Sequence, residues 1–195
     1  MGHKRYPVPG TWTLATLALM RDVASRLKGG SYVHILVTYG TKMGGTAEIA
    51  KRIADTLGEE NFSVTLRPAK QAQHPEEFDA VVVGSALYAL RWRREAVRVL
   101  KKLATAGFRR PVWLFHSGPI GDEEAGDPQK FPAVVEKHAG MLDVRDRVTF
   151  GGRLAEDAGG FIARSMVRQG RAGDWRDFSQ VEVWAKDIAA ELGRQ

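Results

Sequence analysis

From residue 33 onward the chain alternates short apolar runs with longer stretches in which apolar residues recur every three or four positions. Val33-His-Ile-Leu-Val-Thr38 is a short β-branched run leading to a glycine, the pattern of a strand covered on both faces. Ile49, Ile53 and Leu57, with Ala50 and Ala54 beside them, predict a helix that Gly58 stops. Phe62–Leu66 and Ala80-Val-Val-Val-Gly84 predict the second and third strands. Trp92, Ala96, Leu100 and Leu103 form the next helical stripe, and Val112-Trp-Leu-Phe115 the fourth strand. Pro128 and Pro132 blur a helix within residues 128–141, and Val148-Thr-Phe-Gly151 predicts the fifth strand. The last helix has Ser179 with Glu182 three residues later, a capping box. It carries Val181, Trp184, Ile188 and Leu192 as its buried stripe and ends at Gly193.

Five strands separated by helices imply parallel, right-handed crossovers and hence a three-layer α/β sandwich. Two stretches stand outside the alternation. Residues 152–178 hold no clear period beyond a short helix at Phe161–Val167, and a connection that long is often functional or an interaction surface. Residues 1–31 form an extension to a domain of residues 32–195. There Lys4 and Arg5 precede an apolar run from Trp12 to Met20, too short to span a bilayer and without a convincing small-residue cleavage site. One amphipathic helix from roughly Thr13 to Leu27, ended by Gly29-Gly30, is the expectation.

Composition narrows the chemistry. The 195 residues hold no cysteine, which excludes disulfides, thiolate zinc sites, iron–sulfur clusters and a cysteine nucleophile, and leans towards the cytoplasm. Lysine and arginine number 29 against 23 acidic residues, a net charge of +6, so anionic partners are attracted. Histidines 3, 34, 74, 116 and 138 lack metal-ligand spacing, and Asp122, Glu123, Glu124 and Asp127 read as a solvated loop. Neither a hydrolase elbow nor an aromatic-interleaved nucleic-acid signature is present.

In an open parallel sheet ligands bind outside the carboxyl ends of the strands, where the winding reverses. The loop after the first strand is the richest: Tyr39-Gly-Thr-Lys-Met-Gly-Gly-Thr46 runs straight into a helix. Gly44 and Gly45 let the backbone turn tightly and approach closely, amides and the helix N-terminus point at an anion, and Thr41, Thr46 and Lys42 add donors and charge. The expected guest is a terminal phosphate. A Walker A loop is excluded because Thr46-Ala47, not Lys-Ser/Thr, follows Gly45, and the glycine spacing does not fit a dinucleotide fingerprint.

Tyr39-Gly-Thr-Lys-Met-Gly-Gly-Thr-Ala-Glu-Ile-Ala50 resembles the phosphate loop of flavodoxin-type FMN proteins. The likeness continues through Val82-Val-Gly-Ser-Ala-Leu-Tyr88, Arg91-Trp92, Phe115-His-Ser-Gly-Pro119, Phe150-Gly-Gly-Arg-Leu154 and Asp174-Trp-Arg-Asp-Phe178. It is closest to the flavodoxin-like protoporphyrinogen IX dehydrogenases, whose enzymatic members are menaquinone-linked. The resemblance implies a parallel sheet of order 2-1-3-4-5 with FMN as cofactor. It places Thr41, Lys42, Met43, Gly44, Gly45 and Thr46 around the phosphate. Ser85, Ala86, Leu87 and Tyr88 would lie along one side of the isoalloxazine, and Ser117, Gly118, Pro119, Ile120, Gly121 and Asp122 along the other. Tyr88 is the first candidate for ring contact; core packing is expected of Trp92, and a satisfied polar role of His116. No catalytic side chain and no metal is expected.

Arg91, Arg93, Arg94, Arg98, Lys101 and Lys102 follow the second flavin loop, unlike the acidic surround typical of low-potential carriers. The expected function is an FMN-dependent oxidoreductase acting on porphyrinogen or another reduced aromatic, with quinone as acceptor and an acidic redox protein or a membrane surface as partner. The alternatives are an electron-transfer module and a flavin-free binding module.

Overall fold

The structure, a computed structural model, describes residues 33–88, 90–118, 130–157, 159, 161–170 and 172–194. The helix expected within residues 1–31 lies outside them, as does most of the loop after the fourth parallel strand.

Alternation fixes the centre of the fold. Along β1 (His34–Gly40), Ile35 and Val37 face one side of the sheet and Leu36 the other, all fully buried. β1 pairs in parallel with β2 (Ser63–Pro68) and with β3 (Ala80–Tyr88). β3 pairs in turn with β5 (Val112–Ser117), and β5 with β6 (Val144–Phe150). The spatial order β2-β1-β3-β5-β6 is 2-1-3-4-5 when only the parallel strands are counted. The extra member is β4 (Arg91–Trp92), which folds back antiparallel on the end of β3. Trp92 therefore sits in a hairpin and not in the first turn of the following helix, although it is buried as its stripe requires.

Each face of the sheet has its own apolar layer. Helix α1 (Gly45–Glu59) and the C-terminal helix cover one face, where Ile49, Ile53 and Leu57 meet Val181, Trp184 and Ile188 across Ile35 and Val37. Helices α2 (Arg94–Thr105) and α3 (Ala133–Ala139) cover the other, packing Ala96, Leu100, Leu103 and Val135 on Leu36, Val81 and Val83. From β1 the chain reaches β2 through α1 on one face, crosses the other face to β3 through two short 3-10 turns (Ala69–Gln71 and Pro75–Glu77), and continues through α2 to β5, so the winding reverses between β1 and β3. A side chain on Gly84 of β3 would land inside the buried Phe115 ring of β5, so close strand-to-ring packing there requires glycine.

Several boundaries differ from the sequence pattern. β2 begins at Ser63 and extends to Pro68, and β6 starts at Val144 and ends at Phe150. Helix α1 passes through Gly58 to Glu59. Residues 152–178 contain helix α4 (Phe161–Arg168) and a short antiparallel pair, β7 (Arg153–Leu154) with β8 (Gly173–Asp174). The final helix α5 spans Phe178–Leu192. Its cap is Asp177, whose carboxylate accepts from the amides of Ser179 (2.8 Å) and Gln180 (3.2 Å). The capping box expected at Ser179 is thus displaced by a better acceptor two residues earlier, and Glu182 instead pairs with Arg52 of α1.

Candidate functional site

The carboxyl ends of β1, β3 and β5 lie side by side at the point where the winding reverses, and three loops leave from them. After β1 the chain crosses Thr41, Lys42 and Met43 to Gly44, which takes a left-handed φ of 87° at the N-cap of α1. A Cβ at Gly44 would touch nothing within 4 Å, so glycine serves the backbone conformation there and the space above it is open. No side chain caps α1. The Gly44 carbonyl takes the amides of Ala47 and Glu48, while the Gly45 and Thr46 amides belong to the first turn, which has no intrahelical acceptor.

Hydroxyl hydrogens complete this cradle. Thr41 Oγ1 accepts from the Gly44 amide at 3.1 Å, which fixes the turn and leaves the Thr41 hydrogen to donate outward. Thr46 Oγ1 and Ser117 Oγ are 2.8 Å apart and buried. That bond ties the loop after β1 to the end of β5. Two hydroxyls share one bond, so the pair keeps a second hydrogen for an incoming oxygen. Lys42 is exposed. The Met43 side chain packs, with Val167 and Trp175, against the buried Leu154 of the 152–178 excursion, which ties the loop to that segment.

The end of β3 is built differently. Ser85 is fully buried, and its hydroxyl accepts from the Arg93 amide at 2.8 Å and donates to the Ala86 carbonyl. It is therefore engaged in closing the β3–β4 hairpin. Ala86 is buried opposite Ser117. Leu87 and Tyr88 are half-buried, with Tyr88 opposite Arg91. Burial raises the Tyr88 phenol above its usual range against the opposing pull of Arg93, so the ring stays neutral. Leu90 at the hairpin tip is 74% exposed with φ 59°. From β5, Gly118 donates to the Phe150 carbonyl and lies against Leu87, which brings the second and third loops together. Pro119, Ile120, Gly121 and Asp122 lie outside the described residues.

A search of curated proteins returns no match. A family model for the flavodoxin domain matches residues 36–175. The chain belongs to the flavodoxin-domain family. Solved structures agree on the fold. A flavodoxin from the domain Archaea superposes with a TM-score of 0.56 at 14% identity, covering 82% of this chain and 99% of that one. A short-chain flavodoxin associated with a non-canonical PDU bacterial microcompartment gives 0.56 at 16%, covering 79% and 95%. Rubredoxin oxygen:oxidoreductase from Desulfovibrio gigas gives 0.58 at 15% over 92% of this chain but 41% of its own, so this chain spans about two fifths of that protein.

FMN is the cofactor of a flavodoxin domain, and the residues present fit it. The uncapped α1 amides, the open left-handed Gly44 and the spare hydroxyl hydrogens of Thr41 and of the Thr46–Ser117 pair are a donor set for a phosphate dianion.

Two residues beside this flavodoxin site have structural roles. His116 is fully buried, stacked on Phe131 at 4.2 Å, and takes the Trp92 indole N–H on Nδ1 (3.2 Å) while Nε2 meets Thr149 Oγ1 (2.8 Å). Both ring nitrogens are engaged, and burial pushes the imidazole pKa down to about 4. Arg93, expected as part of a cationic rim, has its guanidinium on Glu95 at 3.1 Å, and its side-chain base presses on Gly40 at the end of β1. The cations that remain outward are Arg91, Arg94, Arg98, Lys101 and Lys102, the last 3.8 Å from Glu76.

The composition of the loops made the cradle legible. What the sequence pattern did not reveal is an ionic cluster beside it, in which Arg153 and Arg176 of the excursion both reach Glu48 of α1. No spacing rule links residues more than a hundred positions apart. The only signal was the concentration of arginines in an otherwise patternless stretch.

Proposed function

We propose that this flavodoxin domain is an FMN-dependent oxidoreductase that acts on a reduced, anionic aromatic of the porphyrinogen class and passes electrons on to a quinone. The flavin-binding redox module rests on one observation: an uncapped α1 N-terminus with open space over a left-handed Gly44, tied by Thr46–Ser117 to the neighbouring strand. When bound, FMN supplies an acceptor for a hydride or for single electrons. The protein binds and orients. Thr41, Gly45, Thr46 and Ser117 hold the phosphate, and the ends of β3 and β5 frame the ring.

The substrate class is favoured by the rim beside the second loop. Leu90 offers apolar area, and Arg91 and Arg94 offer charge to carboxylates on a flat ring system. The same cations support a second reading, a carrier that docks an acidic redox protein. Neither reading requires a side chain to act as an acid or base.

Anaerobic addition of protoporphyrinogen to the FMN-loaded protein is the deciding experiment, read by bleaching of the flavin absorbance. Bleaching within seconds, followed by recovery on adding a menaquinone analogue, is the expected result. A flavin that stays oxidised would leave the carrier reading. The cradle is checked separately: Thr46→Val keeps the side-chain shape but removes the hydroxyl, and FMN affinity should fall on the order of tenfold. Unchanged affinity in a fluorescence titration would mean that the phosphate lies elsewhere.

A further inference from the structure

Glu48 stands in the first turn of α1, four residues past Gly44. A carboxylate there complements the helix dipole, yet its charge opposes a dianion arriving at the same N-terminus. Two guanidinium groups from the excursion answer it. Arg153 Nη1 donates to one Glu48 oxygen at 3.0 Å and Arg176 Nη1 to the other at 2.9 Å. The same Arg176 nitrogen also reaches the Gly45 carbonyl at 3.3 Å, so one nitrogen bridges the carboxylate and the cradle backbone. The far side of Arg176 is gripped by Asp174 through Nε (2.7 Å) and Nη2 (2.6 Å).

Arg176 is embedded, with only 3% of its side chain exposed. Its hydrogen bonds to Asp174, and then to Glu48, raise its pKa against the cost of burial. Reciprocally, Arg176 holds the Asp174 carboxyl below the usual carboxylate range. The quartet pairs two guanidinium groups with two carboxylates, so its formal charges sum to zero. The backbone is equally close: a Cβ on Gly45 would meet Arg153 Cβ at 3.5 Å.

We propose that Arg153 and Arg176 are positioning residues that neutralise Glu48. On this view they set the charge the cradle presents, and discrimination between a phosphorylated flavin and an uncharged one is governed by the excursion after β6. The proposal rests on the FMN reading of the same cradle. A purely mechanical strap would use the same contacts, but the two roles predict opposite signs. Removing Arg153 leaves an uncompensated negative charge next to the phosphate. Removing Glu48 leaves an uncompensated positive one. For a mechanical strap, either change merely loosens the grip.

The test is titration of flavin-free protein with FMN and with riboflavin. Arg153, 42% exposed, is the variant of choice, since truncating the embedded Arg176 would strand Asp174. Arg153→Ala should weaken FMN on the order of threefold to tenfold with riboflavin unchanged. Glu48→Gln should tighten FMN by a similar factor, and the double variant should return close to the parent. Both single-variant shifts should shrink in high salt. Weaker FMN binding in both single variants, a parallel loss for riboflavin, or no shift in either would overturn the proposal while sparing the FMN site. A parent protein that binds neither ligand would remove the FMN reading and this proposal together.

Discussion

A single imidazole shows how far local bonding decides the role of a polar residue next to a ligand site. His116 ends one position before Ser117 of the cradle, yet the indole of Trp92 donates to its Nδ1. That bond requires an unprotonated Nδ1, so the proton resides on Nε2 towards Thr149. A second proton would set two N–H groups against each other inside the α2 side of the core. The consequence has a definite sign. The unfolded chain takes up a proton near the ordinary value of 6.5, whereas the folded chain resists until about 4. Stability is therefore full above pH 6.5 and declines as the pH falls through that window, by up to about 3 kcal/mol. Urea unfolding at a series of pH values should show this decline, and His116→Gln, which cannot titrate, should flatten it. A slope that persists in the variant would assign the loss to other groups.

At the level of elements, alternation and helical stripes were enough for the parallel strands and most of the helices that cover them, whereas the order of the strands came from the family resemblance. Those features follow from which residues must leave water, and burial has a period. Ends are settled instead by individual hydrogen bonds. Ser179 and Glu182 have the letters of a capping box, but Asp177 presents a charged acceptor to the same amides. Asp177→Ala should cost about 1 kcal/mol and Ser179→Ala far less, as measured by thermal unfolding. The reverse ranking would restore the box. The β3–β4 hairpin escaped notice for a related reason: two residues of pairing leave no periodic trace, and it is closed by the buried hydroxyl of Ser85. The uncapped glycine loop at the start of α1 was readable because its glycines, threonines and following helix are contiguous in the chain. The Glu48 quartet was not, because its members come together only through tertiary folding.

Across the whole domain, positive charge is unevenly placed. Arg94, Arg98 and Lys101 line the outer side of α2, and Lys137 continues the patch on α3. Burial, then Lys137 and Lys101, depress the neighbouring His138. Among the described residues Arg94, Arg98 and Lys101 have no ion-pair partner, and no helix is long and apolar enough to cross a membrane. We propose this side as the docking surface for an anionic bilayer. Vesicles containing phosphatidylserine should retain the protein at low salt and release it as salt rises, and Arg98→Glu with Lys101→Glu should abolish retention. Equal retention of the double variant would move the contact elsewhere.

The short pairing of β7 with β8 has a further consequence. Arg153 and Leu154 lie against Asp174 and Gly173, and Gly151 approaches the Trp175 backbone so closely that no side chain would fit between them. The excursion thus leaves and rejoins the domain through one narrow stem. Its tip can lengthen, shrink or change composition at little entropic cost without shifting the arginines at its base. A different tip on this stem would change the surface offered to other molecules while the ionic grip of Arg153 and Arg176 on Glu48 stays in place.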